Sequence, residues 1–489
     1  MRRSELWPAG LAAAMLGVAG VAGCGTPPID EATSLRAGFV AKNVCSGVFV
    51  GGRDEAGFLA NDLTFVDLSD LAVGVDRASR RVSVTVAGDE GAAELVRLAI
   101  FHEGHGCTML PLGQTDVLFD PAPVRSALPG GTLLDWPMGD RLSDAPLPLD
   151  VDGDALEVAV ASAFEDEDED SAGTPLGTRA VAVVHRERLI AERYAEGFDQ
   201  DSVMISWSMG KSITAALIGI LVGDGHFSLD DPAPVLAWRQ PGDPRAAITI
   251  RQLLRMSSGL EFSRLTGDDP EFYTHRNAHN YVYNEGIDVF AHAVRPVLEH
   301  SPGTVGRYRN ADPLAIGKII RDTVEARGED YFTFPQRALF DRIGMRDMVL
   351  ERDPYGNMIL TGYDHGTARD WARFGLLHLR DGVWDGERIL PEGWVDAVTT
   401  PAPAWPDQNY GGLFWLNRGG VWPDVPADAF WALGARGQHT VVIPSADLVV
   451  VRMGYSLDGA ALSDNLNRVL AGILAAVGHP PVVPPPTDS

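Results

Sequence analysis

The sequence has little basic charge, few cysteines and no long apolar run beyond its N-terminus. It has 40 Lys and Arg residues against 67 Asp and Glu residues, and a formal net charge of -27. Because nucleic-acid binding depends on clustered Lys and Arg, this charge argues against a nucleic-acid partner. No apolar run reaches the roughly 20 residues of a membrane-spanning helix. With 489 residues and 3 cysteines, the chain can bury a large core without metal ions or many disulfides.

Two motifs that mark other hydrolytic sites are also missing. No serine lies in a Gly-x-Ser-x-Gly nucleophile elbow, which argues against an α/β-hydrolase. His102-Glu103-Gly104-His105 is one residue short of the His-Glu-x-x-His pattern of zinc proteases, and it lies in a Gly-containing loop sequence. We therefore predict no metal site and no organic cofactor.

The N-terminus has the layout of a bacterial lipoprotein signal. Two arginines precede an apolar run over residues 9–21, which is too short to cross a bilayer comfortably. The sequence Val21-Ala22-Gly23-Cys24 follows and resembles a lipobox, in which the Cys is lipidated. We expect residues 1–24 to be the signal peptide and 25–40 a tether. The protein would then be exported and anchored to a bacterial membrane through Cys24, on the periplasmic or cell-surface side. An ordinary signal peptide with a chance Cys is the alternative.

Cys45 and Cys107 remain, and they predict one disulfide, because an even pair in an exported protein usually forms a bridge. Each lies beside a segment that favours β-structure, 46–50 after the first and 96–101 before the second. Two buried free thiols are the alternative.

Residue patterning divides the rest of the chain into two units. Residues 41–150 favour strands and end in a linker rich in Pro and Asp, which predicts a small β-rich N-terminal domain. Residues 151–478 have β-hairpins at both ends, over 179–192 and 441–452, with helices between them. This order predicts an α+β domain, with an antiparallel sheet flanked by helices and a helical subdomain. Residues 479–489 are expected to form a Pro-rich tail.

Ser208-Met209-Gly210-Lys211 is the first motif that points to chemistry. Side chains three apart on a helix lie on one face about one turn apart, so Ser208 and Lys211 are expected to be neighbours. Serine is a weak nucleophile until a base accepts its proton, and lysine can be that base when burial lowers its pKa. The apolar run 213–222 after the motif predicts a helix that buries the lysine. A chance Ser-x-x-Lys on a surface helix is the alternative.

Tyr308-Arg309-Asn310 is the second motif. Tyr308 and Asn310 are two apart, so they lie on one side of an extended loop. A tyrosine near a cationic lysine can act as a phenolate or pass a proton to the leaving group. Asn310 is expected to hold the lysine and a substrate carbonyl. A turn with a packed tyrosine is the alternative.

Gly434-Ala435-Arg436-Gly437-Gln438 is the third motif, just before the second predicted hairpin. A Gly-containing edge strand lets a substrate carbonyl approach backbone N–H groups closely. Such a strand can supply an oxyanion donor.

In this order the three motifs resemble the penicillin-recognising serine hydrolase superfamily. It includes class C β-lactamases, DD-peptidases, family VIII esterases and 6-aminohexanoate-dimer hydrolases. The resemblance covers about residues 175 to 477 and is strengthened by four further stretches: 250–260, 367–375, 390–394 and 410–415. It implies a β-lactamase/transpeptidase-like fold and an acyl-enzyme mechanism.

Carried over by position, the resemblance implies that Ser208 is the acylated nucleophile, Lys211 its base and Tyr308 the proton relay. The backbone N–H groups of Ser208 and Gln438 would form the oxyanion hole. Asn310, Arg436 and Gly437 would position the substrate.

The third motif departs from the family pattern. Ala435-Arg436-Gly437 stands where β-lactamases have Lys-Thr-Gly, and the cation is displaced onto a residue that a strand would point to the opposite face. This departure argues against penicillin recognition and favours the esterase and 6-aminohexanoate-dimer hydrolase branch.

We therefore expect a serine hydrolase that cleaves ester or amide bonds of a small molecule. Four aromatic neighbours of the motifs would suit an acyl group of low charge: Trp207, Tyr410, Trp415 and Trp431. Two alternatives stay open. One is a DD-peptidase or β-lactamase acting on cell-wall-like substrates, and the other is a non-catalytic penicillin-binding-like module.

Overall fold

The computed structural model of the protein describes residues 31–86, 94–165, 176–262 and 281–482. The predicted signal peptide and Cys24 lie outside these residues, as do 25–30 of the predicted tether and 483–489 of the predicted tail. Across the described ranges, no helix combines the length and the apolar character that crossing a membrane requires.

Helices and strands alternate irregularly along the chain. The helices are α1 (Glu31–Cys45), α2 (Glu55–Asp62), α3 (Gly153–Ser162), α4 (Gly210–Gly223), α5 (Ile250–Leu254), α6 (Tyr281–Asn284), α7 (Val289–Ala293), α8 (Ala311–Ala326), α9 (Asp341–Ile343), α10 (Ala368–Leu379), α11 (Trp394–Thr399) and α12 (Gly459–Ala476). The strands are β1 (Leu71–Asp76), β2 (Arg81–Val86), β3 (Leu95–His102), β4 (Gly106–Met109), β5 (Thr178–His185), β6 (Arg188–Tyr194), β7 (Met204–Ile205), β8 (Val349–Leu350), β9 (Asp364–Gly366), β10 (Val383–Trp384), β11 (Glu387–Arg388), β12 (Trp415–Leu416), β13 (Phe430–Gly434), β14 (Gln438–Ile443) and β15 (Leu448–Gly454).

The N-terminal unit is a four-stranded antiparallel sheet, in the order β1-β2-β3-β4, that packs against α1. Alternate residues of β2 are buried, as expected for a strand with one face on a core. Phe39 and Val44 of α1 bury their side chains in the same core as Val82 and Val84 of β2. A disulfide between Cys45 and Cys107 joins the end of α1 to β4, with a Cα–Cα distance of 5.9 Å.

The predicted tether is wrong for residues 31–40, because they form the first part of α1. Leu35, Phe39 and Val40 are buried. Their spacing places them on one face of a helix, and that face packs against the sheet. The segment 46–50, which was predicted to favour β-structure, instead continues α1 as a short π-helical turn.

The larger unit is built on a six-stranded antiparallel sheet, in the order β12-β13-β14-β15-β5-β6. The two predicted hairpins are confirmed as β5–β6 and β14–β15, and they meet where β15 pairs with β5. The N- and C-terminal parts of this unit therefore share one sheet.

Helices cover both faces of this sheet. One apolar core contains α4, α8 and α10, and a second core on the other face contains α3 and α12. α4 is apolar around its whole circumference, and twelve of its residues are buried, so it runs through the centre of the first core. The predicted α+β fold with an antiparallel sheet flanked by helices is confirmed.

Candidate active site

Ser208 and Lys211 lie together at the start of α4. Residues Trp207–Met209 form a short 3-10 turn that leads directly into the helix. Lys211 Nζ lies 2.9 Å from Ser208 Oγ and donates to the carbonyl oxygen of Thr361 at 2.8 Å. Lys211 is buried, whereas Ser208 is half-buried and borders a cavity. The position at a helix start also leaves the Ser208 N–H outside the regular helical hydrogen-bond pattern.

The residue before the serine has a backbone conformation that is rare for a large side chain. Trp207 has φ +49°, in the left-handed region. Its ring packs edge-on against Tyr363 at 5.2 Å between centroids. Such conformations persist only where the surrounding structure holds them, and they occur often at functional sites.

The environment of Lys211 disfavours the charged form of its amine. Burial lowers the pKa of Lys211 to about 7, while the Asp364 carboxylate acts in the opposite direction. Burial also raises the pKa of Asp364 to about 7, although Ser206 donates a hydrogen bond to its carboxylate. A lysine with such a pKa can accept a proton, which an exposed lysine cannot do at this pH.

Tyr308 completes a triad with these two residues. Its hydroxyl is close enough to Ser208 for the serine to lower the pKa of the phenol, and Lys211 Nζ lies 4.9 Å from the centroid of its ring. Burial raises the pKa of Tyr308 above its usual value, so the phenol stays protonated. Of the two roles that the sequence suggested for this tyrosine, the structure favours the proton donor over the phenolate.

Asn310 is connected to the triad through a residue that the sequence did not single out. Its Nδ2 donates to the Tyr283 hydroxyl at 2.8 Å, and that hydroxyl donates to the Thr361 carbonyl at 2.9 Å. Thr361 therefore accepts from Lys211 and Tyr283 together. Neither Thr361 nor Asp364 stands in a recognisable motif, and Thr361 acts through its backbone, so no sequence signal pointed to them.

The third motif was predicted to form an edge strand, but most of it forms a turn. Residues 435–437 form the turn between β13 and β14, and Gln438 begins β14. Because β14 is paired on both sides, by β13 and β15, Gln438 is not on the edge that faces Ser208. Its side chain bonds the backbone of Gly454 and Ala435. The assignment of Gln438 as an oxyanion donor is therefore wrong.

The edge that faces the serine belongs to β13. A Cβ on Gly434 would overlap the Ser206 carbonyl oxygen, so the strand touches the turn that carries Ser208. β12 pairs with β13 only at Phe430 and Trp431, which leaves the rest of this edge uncovered.

The direction of the β13 backbone identifies the groups on this uncovered edge. The Ala429 carbonyl accepts from Asn417 N at 2.9 Å, so it points toward the β12 side. Backbone groups alternate along a strand, so those of Leu433 point to the same side, and the Gly434 carbonyl points the other way, toward β14. Because the peptide bond is trans, the Ala435 N–H points opposite to the Gly434 carbonyl and thus toward the uncovered edge. Ser212 donates to the Leu413 carbonyl at 2.7 Å, which places the segment just before β12 beside the first turn of α4. Ser208 lies one turn earlier, beside the Ala435 end of the edge.

Arg436 does not point across the sheet as a strand residue would. It has φ +64° in the turn, and its guanidinium lies 4.3 Å from the ring centroid of Phe65 and 5.5 Å from that of Tyr455. Phe65 comes from the N-terminal unit, which thus reaches the active site. Gly437 has φ +86°, and a Cβ there would overlap the Arg452 guanidinium.

The cavity at Ser208 is large and mostly apolar, with a volume of about 770 Å³. Its described lining includes one arginine, Arg436, one histidine, His439, and no acidic residue. The apolar and aromatic lining residues are Phe65, Trp207, Phe262, Tyr283, Tyr308, Trp415, Val421, Trp422, Trp431, Leu433, Ala435, Leu462 and Leu466. Of the four aromatic residues expected near the substrate, Trp207, Trp415 and Trp431 line the cavity, while Tyr410 is buried behind Tyr308.

The His102–His105 stretch has a structural role in the N-terminal unit. His105 bonds the Ala122 carbonyl at 2.7 Å and contacts the Arg352 guanidinium. Within the described ranges, no group of three or more His, Cys, Asp or Glu side chains is arranged to hold a metal ion.

Comparison with known proteins agrees with this geometry. The beta-lactamase family model matches residues 168–473. A 6-aminohexanoate-dimer hydrolase of Paenarthrobacter ureafaciens is 24% identical over 293 residues, which covers 56% of this chain and 72% of the relative. Penicillin-binding protein 4 of Amycolatopsis lactamdurans is 26% identical over 340 residues, covering 59% of this chain and 81% of the relative. The solved structure of a penicillin-binding protein homologue from Caulobacter crescentus has a TM-score of 0.52 at 15% identity, over 68% of this chain and 99% of that one. The family model covers well over half of the sequence, and the chain therefore belongs to the beta-lactamase family of serine hydrolases.

Proposed function

We propose that this protein hydrolyses esters or amides of small, apolar acyl groups through an acyl-enzyme on Ser208. The observation that carries the proposal is the 2.9 Å contact between Ser208 Oγ and the buried Lys211 Nζ. The neutral amine of Lys211 accepts the serine proton while Oγ attacks the carbonyl carbon and forms the new C–O bond. Ser208 would then carry the acyl group as an ester.

Two backbone N–H groups would hold the oxyanion of the tetrahedral intermediate. One is the N–H of Ser208, at the start of α4. For the other we assign the N–H of Ala435, because it points to the uncovered edge of β13 beside Ser208. Preorganised donors of this kind commonly contribute more than any other single factor to acyl transfer.

Tyr308 would protonate the leaving group. Its side chain lines the same cavity as Ser208 and interacts with it, so the hydroxyl lies within reach of the oxygen or nitrogen that departs when the scissile bond breaks. The protonated Lys211 then gives the proton that it took from Ser208 to the tyrosine oxygen, which restores the neutral amine and the phenol. A water molecule deacylates the enzyme by the reverse sequence of proton transfers, and Asn310 keeps Tyr283 and Thr361 in position around Lys211.

The cavity lining supports an acyl group of low charge. Thirteen described lining residues are apolar or aromatic, and they offer an acyl group mostly apolar contacts. Arg436 is held against Phe65 and Tyr455, at the rim formed by the N-terminal unit. This position suits a polar group at the far end of the substrate better than one beside the scissile bond.

The second candidate is a DD-peptidase or β-lactamase activity on cell-wall-like substrates. Arg436 favours it, since such substrates carry a carboxylate and this cation lines the cavity. A fluorescent penicillin discriminates between the two: covalent labelling of the wild type that disappears in Ser208→Ala would support the second candidate, and no labelling at high concentration would exclude it.

We also propose that the protein is exported as a membrane-anchored lipoprotein through Cys24. The apolar run and the Val21-Ala22-Gly23-Cys24 sequence support this localisation. The bonded pair Cys45–Cys107 agrees with an oxidising compartment. Metabolic labelling with a radioactive fatty acid tests the anchor: the wild type should take up label and a Cys24→Ser variant should not.

A substrate screen tests the catalytic proposal. Short-chain p-nitrophenyl esters, aminohexanoate-type amides and β-lactams would be offered to the wild type and to Ser208→Ala. We expect turnover of apolar esters or amides by the wild type alone. Full ester turnover by Ser208→Ala would exclude the proposed nucleophile.

A further inference from the structure

A buried carboxylate lies where the N-terminal unit meets the catalytic unit. Glu351 follows β8, and its side chain accepts hydrogen bonds from Cys107 N at 2.9 Å, from Ser46 Oγ at 2.9 Å and from the Lys42 ammonium. The side chains of Lys42 and Glu351 are both 0% exposed. Three groups of the N-terminal unit therefore converge on one residue of the catalytic unit.

Asn43, the next residue of α1, contacts the chain beside the active site directly. Asn43 Nδ2 donates to the Tyr363 hydroxyl at 2.9 Å, and Lys42 Nζ lies 4.8 Å from the centroid of the Tyr363 ring. Tyr363 has φ +60°, a conformation that a tyrosine keeps only when its surroundings hold it.

This segment shapes the environment of Lys211. Glu351 N donates to the Tyr363 carbonyl at 3.1 Å, and this hydrogen bond holds the two ends of the 351–363 loop together. Tyr363 stands between Thr361, whose carbonyl accepts from Lys211, and Asp364, whose carboxylate acts on the same lysine. The residue that α1 contacts, Tyr363, is thus two residues from Thr361 and one residue from Asp364, the two groups that act on the proposed base.

The N-terminal unit also contacts α6 of the catalytic unit, which carries another residue bonded to Thr361. The buried Arg97 of β3 donates to the Asn284 carbonyl and pairs with Glu285 at 3.2 Å. A Cβ on Gly38 of α1 would overlap the Asn284 oxygen, so the helix packs directly on this backbone. Asn284 follows Tyr283, which donates to the Thr361 carbonyl.

We propose that the N-terminal unit positions the catalytic lysine, with Lys42, Asn43 and Glu351 as positioning residues. They hold the Thr361–Asp364 segment in place around Lys211. This inference rests on the proposed role of Lys211 as the base. The family match covers residues 168–473, so Lys42 and Asn43 lie outside it, in a unit that this chain adds to the family domain.

A purely stabilising role would be a poor explanation for this arrangement. A buried ion pair repays little of its desolvation cost, and well-packed apolar residues often stabilise a protein as much. Such pairs are better suited to fixing one conformation of the chain. Here the conformation is that of residues 361–364, which include the Thr361 carbonyl that accepts from Lys211.

The charged and titratable neighbours of Lys211 and Lys42 are the groups whose ionisation can affect a pH profile of activity. Lys211 faces Asp364 from β9 and the ring of Tyr308 from the loop before α8. Lys42 faces Glu351, Asp353 and His365, all on the 351–365 segment. When the segment loosens, water gains access to Lys211 and the effect of burial on its pKa decreases.

The experiment compares Lys42→Met and Asn43→Ala in the full-length protein, with Arg36→Met as the matched control. Arg36 also lies on α1, but it bonds Asp67 and Asp70 within the N-terminal unit. Asn43→Ala removes the bond to Tyr363 and one bond to the Phe39 carbonyl within α1, and it leaves the buried ion pair in place, so it serves if Lys42→Met does not fold. The readouts are kcat, KM and the pH profile of kcat/KM on a p-nitrophenyl ester.

We expect both variants to lower kcat by about tenfold or more, because small displacements of catalytic groups have effects of this size or larger. The acid limb of kcat/KM should move to higher pH, and Arg36→Met should change neither quantity more than twofold. An unchanged kcat and acid limb in a folded Asn43→Ala would overturn the inference, even if its melting temperature fell. Ser208→Ala, measured alongside, separates the two ideas: full turnover by that variant would overturn the proposed function itself.

Discussion

Gly210 lies so close to Asp364 that a Cβ on Gly210 would overlap the Asp364 carboxylate. Gly210 is the residue between the nucleophile's turn and Lys211, and Asp364 is the acidic neighbour of that lysine. The glycine therefore allows α4 to approach β9 closely enough for Lys211 to reach the Thr361 carbonyl.

The close approach at Gly210 predicts that even the smallest side chain is harmful there. Gly210→Ala must displace Asp364 or the start of α4, and a displacement of about 1 Å can cost about 100-fold in rate. We expect a loss of that order in kcat/KM on a p-nitrophenyl ester, in a protein that still folds by circular dichroism. Gly130→Ala is the matched control, since a Cβ there meets nothing within 4 Å. Wild-type activity in Gly210→Ala would show that this approach is not needed.

The acid limb of kcat/KM should reflect the deprotonation of Lys211. The base is active when neutral, and burial lowers its pKa to about 7, so activity should rise as the pH increases through 7. It should then stay high toward pH 9, because burial keeps Tyr308 protonated there.

Asp364→Asn tests the direction of this effect. The Asp364 carboxylate raises the pKa of Lys211, so its removal should lower that pKa and move the acid limb to lower pH. The measurement is a pH–rate profile of both proteins under single-turnover conditions. A shift to higher pH, or none, would contradict the assignment of Lys211 as the titrating base.

Tyr308→Phe should affect poor leaving groups most. General acid catalysis by one side chain contributes about 100- to 10,000-fold, and a p-nitrophenolate leaves without much need for a proton. We expect a larger loss of kcat on an alkyl ester or amide than on the p-nitrophenyl ester of the same acid. Tyr194→Phe, at a tyrosine bonded to Glu192, is the control. An equal loss on both substrates would argue that Tyr308 only packs against the site.

The assignment of Ala435 as an oxyanion donor can be tested without removing any backbone hydrogen bond between β14 and its neighbouring strands. Ala435→Pro removes an N–H that points away from β14, and loss of one such donor costs about 100- to 1,000-fold in kcat. Ala435→Ser keeps the N–H at this exposed position and should retain most of the activity. If both variants are equally active, the second donor lies elsewhere.

Local motifs made much of the catalytic unit predictable. The Ser208–Lys211 spacing and the apolar run after it are properties of one helix, and the two hairpins have their own alternating patterns. Thr361 and Asp364 were not predictable, because they reach Lys211 from about 150 positions away through a backbone carbonyl and an isolated carboxylate.

Two errors have clear physical causes. The third motif contains two glycines, and only the strand pairing distinguishes Gly434 at the edge of β13 from Gly437 in the turn. The helix α1 was mistaken for a tether because its residues are small and mixed in character, and its buried face becomes evident only against β2 and β3. In both cases long-range packing, which single-chain patterning does not contain, decided the structure.

Trapping the acyl-enzyme tests the central claim most directly. The wild type, Ser208→Ala and the control Ser206→Ala would each be mixed with a slowly deacylating ester and quenched in acid, and the intact mass and the modified peptide would be measured. Ser206 lies two residues before the nucleophile and bonds Asp364, so its variant should react more slowly but keeps the acylation site. We expect the wild type to gain the mass of one acyl group on the peptide that contains Ser208, and Ser208→Ala to gain none. An adduct on another residue, or the same adduct in Ser208→Ala, would contradict the assignment of Ser208 as the nucleophile.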